Sequence, residues 1–220
     1  MKIKGFFITL EGIDGCGKTT QARLLAEHLA GKGMSVVRSR EPGGTGIGLK
    51  IRSILLDPGH NGMNPVTEML LYSADRAQHI SEVIEPALAS GKVVICDRFA
   101  DATTAYQGYA RGIDLDLVGT LEEIATRGCS PDLTVLLDIP VEEALGRAIG
   151  RNNTHGTGHE GRFEEESAAF HEKVRQGYLA IAQCEPERVK IIDATGSVEE
   201  IQARIRAAVD KVIGRRDNVI

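Results

Sequence analysis

Phe6-Phe-Ile-Thr-Leu-Glu-Gly12-Ile-Asp-Gly-Cys-Gly-Lys18-Thr19 is the stretch that decides the fold. It opens as a short apolar run, Phe6–Leu10, and from Gly12 to Thr19 it satisfies G-x-x-x-x-G-K-[ST], the pattern of a phosphate-binding loop. A helical pattern at Leu24, Leu25, His28 and Leu29 follows at once. Strand, glycine turn and helix in this order have one physical use. Glycines let backbone N–H groups turn inward around a polyphosphate, and the helix N-terminus adds its partial positive charge. Gly12, Ile13, Asp14, Gly15, Cys16, Gly17, Lys18, Thr19 and Thr20 are therefore the expected contacts to a nucleotide. Lys18 is expected to reach the β- and γ-phosphates and the Thr19 hydroxyl to hold Mg²⁺.

Outward from this loop, four more apolar runs recur at Val36–Ser39, Val93–Cys96, Leu133–Leu137 and Val189–Ile192. Segments of helical period lie between them. One places Val66, Met69, Leu70, Ala77, Ile80, Val83, Ile84 and Leu88 on one face. Another carries Val198, Ile201, Ile205, Ala208, Val209 and Val212, opened by the capping-box pattern Ser197-Val-Glu-Glu200. Non-alternating strands separated by helices predict an α/β fold, a five-stranded parallel sheet with helices on both faces. Ligands then bind beyond the carboxyl ends of the strands, where three of the runs meet a carboxylate: Asp97, Asp138 and Asp193.

The chain has 220 residues, with 31 Asp+Glu against 26 Lys+Arg and a net charge of −5. That length suits a single domain over 1–220, and the acidic balance excludes a broad basic face for a nucleic acid polymer. No apolar run is long enough to span a membrane. Cys16, Cys96, Cys129 and Cys184 show no metal spacing and read as thiols of a cytoplasmic protein. The first residues read as a buried strand rather than a signal peptide, since the apolar run is short and meets Glu11. Asn152–Gly161 is polar, with three glycines, and reads either as a plain surface loop or as a lid over a site, taken as about 147–162. His155 and His159 within it are four apart, but a glycine-rich loop gives them no shared helical face. Cys16, beside Lys18 and a helix N-terminus, is expected to be a reactive thiol that ATP protects.

A phosphate loop does not by itself separate a GTPase, a partition ATPase, a deoxynucleoside kinase and a nucleotide kinase. No N-K-x-D guanine signature is present. Further motifs are Arg40-Glu-Pro-Gly-Gly-Thr45, Glu68-Met-Leu-Leu-Tyr-Ser-Ala-Asp-Arg76, Asp97-Arg98-Phe99, the run TTAYQGYARG at 103–112, SPDLTVLLD at 130–138, GRFEEE at 161–166 and Asp193-Ala-Thr195. With these the chain resembles the bacterial thymidylate kinases over essentially its whole length. The resemblance implies a phosphate-loop, nucleoside-monophosphate-kinase-like fold. It implies transfer of the γ-phosphoryl group of ATP to dTMP, giving dTDP and ADP in dTTP synthesis, with Mg²⁺ as cofactor and a homodimer in which the Val66–Leu88 helix is a candidate contact.

The resemblance also assigns residues. Arg98, helped by Arg40 and Arg52, would grip the acceptor phosphate, a task suited to the planar guanidinium fork. Asp97 would join Thr19 at Mg²⁺. Asp14 would reach the sugar 3′-hydroxyl, with Glu41 and Pro42 nearby. Tyr72 would stack on thymine, where the family usually has Phe, and Arg76, one turn on, would donate to its O4. Thr103 and Gln107 would complete the base contacts, and Tyr106 would crowd the sugar 2′ position. The phosphate loop carries no Arg, so the lid should supply one. Arg147, Arg151 and Arg162 are the candidates, with Arg151 expected at the transition state. Arg147 would pack on adenine, and Asp193, Ala194 and Thr195 would line its other side.

Overall fold

The computed structural model describes residues 5–155, 162–163 and 166–217, with side chains described for 5–148, 162–163 and 166–215. Five strands, β1 (Phe6–Glu11), β2 (Val36–Arg40), β3 (Val93–Asp97), β4 (Leu133–Asp138) and β5 (Val189–Asp193), form one sheet in the order β2-β3-β1-β4-β5. Every pairing is parallel. Each strand runs one residue beyond its apolar run, because the polar residue that ends it is still held in the ladder: Arg40 and Leu10 both pair with Asp97, and Asp138 pairs with Asp193. All the charged strand ends therefore face the same way. β1 leaves toward β2 and its neighbour β3 leaves toward β4, so the crevice opens between them, at the switch of direction that places ligands in such sheets.

The helices are α1 (Lys18–Gly31), α2 (Gly46–Leu56), α3 (Pro65–His79), α4 (Glu85–Ala89), α5 (Ala100–Thr103), α6 (Leu115–Thr126), α7 (Val141–His155), α8 (Ala168–Cys184) and α9 (Val198–Asp217). Alternation along β1 divides the core between the sheet's faces. Phe6, Ile8 and Leu10 pack with Leu25, Leu29 and Ile205, whereas Phe7 joins Val94, Ile80, Ile84 and Phe99 on the other face. The capping box at α9 forms as its pattern predicts: Ser197 N–H donates to Glu200 Oε2 at 2.8 Å, and Glu200 N–H donates to Ser197 Oγ at 3.2 Å.

Two expectations change. The helical stretch Val66–Leu88 is not one α-helix, since Ile80–Ile84 widens into a π-turn between α3 and α4. Pro86 has no N–H to give the carbonyl four residues back, and the wider turn accommodates that gap. The polar segment expected to leave the helix at Asn152 instead continues α7 to His155.

Candidate active site

The phosphate loop leaves β1 through Gly12, Gly15 and Gly17, all at positive φ. At Gly15 the constraint is doubled, because a Cβ would lie 1.9 Å from the carbonyl oxygen of Ala144 on α7. The loop thus closes against α7 only without a side chain there. Lys18 is buried and curls back, its Nζ donating to the carbonyls of Gly12 at 2.9 Å and Ile13 at 2.8 Å. Thr19 Oγ1 donates to Asp97 Oδ2 at 2.6 Å, joining the loop to the end of β3. These are two hard oxygen donors side by side, the kind of pair that suits Mg²⁺.

A cleft of about 830 Å³ runs from this loop across the strand ends. The structure brings to its walls Asp14, Gly15, Cys16, Gly17, Thr20, Arg40, Glu41, Pro42, Arg52, Tyr72, Asp97, Arg98, Thr103, Tyr106, Gln107 and Arg147 of the expected set, together with Lys18 and Thr19. Gly12 and Ile13 lie beneath, and serve as acceptors for Lys18.

Arg98, directly after β3, is the centre of one end of the cleft. Its φ of +71° is left-handed, uncommon for a residue with a Cβ. Its Nη2 donates to Asp14 Oδ1 at 2.5 Å, and its guanidinium lies 4.9 Å over the Tyr106 ring. Tyr106 donates its hydroxyl to Asp14 Oδ2 at 2.8 Å, which closes a triangle of cation, anion and aromatic. Burial alone would raise the Asp14 carboxyl, but Arg98 and then Lys18 hold it well below the usual carboxylate range. It stays an anion at any working pH.

The turn after β2 is fastened to α3 from below. Glu41 Oε2 accepts from Arg76 Nε at 2.9 Å and Oε1 from His79 Nδ1 at 2.8 Å, while Gly43 N–H donates to Asp75 Oδ1 at 3.0 Å. Asp75 Oδ2 is buried with no partner, and burial followed by the Glu41 charge pushes the carboxyl up to about 6. Arg52 reaches the same turn by donating from Nη1 to the Pro42 carbonyl at 2.9 Å.

Several expectations are corrected by this geometry. Arg76, expected at the thymine O4, is 1% exposed and does not line the cleft. Its donors go to Glu41, Thr103 Oγ1, Glu122 and the Phe99 carbonyl, so it braces the cleft floor. Arg162, a candidate lid cation, is also buried, donating to Glu68 Oε2 at 2.6 Å and to the Leu55 carbonyl. Asp193, Ala194 and Thr195 do not line the cleft: Asp193 is exposed, its Oδ1 accepting from the N–H and Oγ1 of Thr195, and Ala194 is buried, so the wall is formed instead by Gly196, Ser197 and Val198. Arg147 joins the two walls at that end, donating from Nη1 to the Ala194 carbonyl at 3.1 Å. Cys16 is fully buried, its sulfur 3.5 Å from Lys18 Nζ, which removes the exposure that a reactive thiol needs. The Arg151 and His155 side chains, and all of His159, lie outside the described residues.

Three further residues matter here. Phe163 lines the cleft and stands edge-on to Tyr106, with ring centroids 5.5 Å apart. His79 holds Glu41. Glu68 gathers Gln107, Arg111 and Arg162 around one buried carboxylate. Phe163 and Glu68 stand inside quoted motifs, GRFEEE and Glu68–Arg76, but nothing in the sequence shows what either one touches.

Comparison with known proteins finds similarity over nearly the whole chain. Residues 10–205 match the sequence model of a family described as Thymidylate kinase. A thymidylate kinase of Desulfosudis oleivorans is 55% identical over 209 residues, covering 94% of this chain and 97% of its own. One of Geotalea uraniireducens is 56% identical over 205 residues, 93% of this chain and 96% of its own. Among solved structures, that of thymidylate kinase from Ehrlichia chaffeensis matches with a TM-score of 0.75 at 33% identity, covering 94% of this chain and 99% of that one.

Proposed function

The chain belongs to the thymidylate kinase family and phosphorylates dTMP to dTDP with ATP, and from that premise we propose how its own residues divide the work. Arg98 takes the 5′-phosphate of dTMP, with Arg40 and Arg52 at the rim. The observation that carries this is the left-handed turn at the end of β3, which aims Arg98 into the cleft beside Asp14 and Tyr106 and opposite the phosphate loop. Lys18 leaves the carbonyls of Gly12 and Ile13 for the β- and γ-phosphates of ATP. Two polyanions are then held in line by cations from opposite walls, which is most of what phosphoryl transfer asks of a protein.

Thr19 and Asp97 would hold Mg²⁺, which when bound neutralises charge building on the phosphate oxygens. Arg147 and Gly196–Val198 face the adenine, and Arg151, on the last turns of α7, remains the proposed source of transition-state charge. Tyr72 and Phe163 wall the thymine, with Thr103 and Gln107 supplying polar contacts. Tyr106 and Asp14 close on the sugar, Tyr106 excluding a 2′-hydroxyl.

The chain acts as one domain over 1–220 with its lid at about 147–162, in the cytoplasm and as a homodimer. Among the described residues no helix is long and apolar enough to cross a membrane. Val66 and Leu70 on α3 are exposed, as are Leu117 and Ile124 on the adjoining α6, an apolar face of the kind a second copy covers. An ADP-release assay with dTMP, dUMP, dCMP, AMP and thymidine tests the acceptor assignment. Turnover with dTMP and none with thymidine is expected, since only a phosphorylated acceptor uses Arg98. Equal use of thymidine would remove Arg98 from this role.

A further inference from the structure

Glu11, the last residue of β1, is a carboxylate with no solvent exposure, immediately before the phosphate loop. Its Oε1 accepts the Phe99 N–H at 2.6 Å and its Oε2 accepts the Tyr178 hydroxyl at 2.8 Å. Phe99 directly follows Arg98, whose left-handed backbone is strained for a residue with a Cβ. Two bonds from β1 hold that turn: Arg98 N–H to the Leu10 carbonyl at 3.0 Å, and Phe99 N–H to Glu11. The other oxygen reaches the aromatic bed of the same arginine. Tyr178 stands edge-on to Tyr106 at 6.4 Å, and Tyr106 lies beneath the Arg98 guanidinium.

We propose that Glu11 is a positioning residue for the acceptor phosphate, fixing both the backbone turn and the ring bed that aim Arg98. The inference rests on the assignment of Arg98 to the dTMP phosphate. A hydrocarbon side chain in its place leaves the Phe99 N–H buried without an acceptor, and the turn relaxes toward an unstrained φ. Aim, not folding, is what suffers first.

The charge of Glu11 supplies a second handle. Around it stand Arg98, Asp101 at the start of α5, Arg76 from α3, Tyr178 from α8 and the Cys96 thiol of β3. Burial, then Asp101, pushes the carboxyl up to about 8 against the pull of Arg98. Protonated Glu11 keeps Oε1 as an acceptor and donates from Oε2 to the Tyr178 oxygen, so both bonds survive without the charge. Above that pH an anion sits behind Arg98 and opposes an incoming phosphate. The KM for dTMP therefore climbs as pH rises through about 8.

Steady-state kinetics of the full chain, varying dTMP and ATP separately from pH 6.5 to 9, tests this. Glu11→Met should raise the KM for dTMP about tenfold or more and leave that for ATP within about twofold, as misaimed binding groups do. Glu11→Gln, which can make both bonds, should recover to within about threefold of the parent and lose the rise above pH 8. A folded Glu11→Met enzyme with the parent KM for dTMP overturns the proposal. So does Gln as damaging as Met, or a KM for ATP that rises as far as that for dTMP. If Glu11→Met fails to fold, Tyr178→Phe decides, with a higher KM for dTMP alone expected and no change refuting it. Arg98→Ala run alongside separates the two assignments. If it too keeps its KM for dTMP, the role of Arg98 fails; if only Glu11→Met does, Arg98 stands and Glu11 falls.

Discussion

The two ends of the cleft handle charge in opposite ways. At the end proposed for the acceptor, three guanidiniums already have their anions: half-buried Arg98 with Asp14, and buried Arg76 with Glu41 and Glu122 and Arg162 with Glu68. At the donor end Lys18 rests on neutral carbonyls, and Arg147 shares a half-exposed helix pair with Glu143. A buried ion pair fixes geometry at a high desolvation cost, and breaking one is costlier still. A lysine on carbonyl oxygens can exchange them for phosphate oxygens with little net loss. The acceptor pocket is thus set in shape before its ligand arrives, whereas the donor loop keeps its charge available.

The experiments that sharpen this contrast run from large effects to small. Lys18→Ala should cut kcat by about 10³-fold or more with melting nearly unchanged, as loss of a preorganised charge does. An unfolded variant would mean that the lysine also holds the loop together. Arg98→Ala should lower kcat/KM for dTMP by about 10²-fold while KM for ATP stays within about twofold. A matching loss for ATP would show that the two ends are not independent. Arg147→Ala should do the reverse on a smaller scale, raising KM for ATP by about threefold to tenfold and sparing dTMP, in line with a partly exposed group.

Asp75→Asn probes the acceptor network through stability. Its carboxyl sits at about 6 when folded, above the usual 3.8, so ionisation opposes folding and that cost is present above pH 6. Asn keeps the acceptor for Gly43 and removes the charge. Melting should rise by about 2–4 °C at pH 8, the scale of about 1 kcal/mol, and the gain should vanish as pH falls below the usual carboxylate range. A gain that is the same at pH 4 and pH 8 would leave charge out of it. Thiol labelling gives the smallest signal, with Cys16 expected to react slowly whether ATP is present or not, because it is already buried without the nucleotide.

Most of the scaffold was legible in the sequence because parallel strands between two helical layers are apolar throughout. The five runs were found on that basis, each short by its one polar residue. Gly12–Thr19 was legible for a different reason, since backbone cradling of phosphate leaves few sequence solutions. The acceptor network was not. Arg76 carries a motif, but its partners Glu41, Thr103 and Glu122 lie 27 to 46 residues away, and only the tertiary fold turns that guanidinium from the pocket to the floor. Arg162 is hidden in the same way, because its partner Glu68 is 94 residues distant. The π-turn at Ile80–Ile84 breaks no hydrophobic period, so periodicity could not reveal it.

The shared direction of the five strands leaves the far edge of the sheet without chemistry. β5 begins there, at Val189, and Cys184 ends α8 a few residues earlier, the one exposed thiol of four, with Cys129 half-buried and Cys16 and Cys96 buried. A maleimide dye placed on Cys184 would report on the whole molecule from its quiet side. The protein carries its own attachment point for surface tethering or fluorescence, with the reacting groups at the opposite pole.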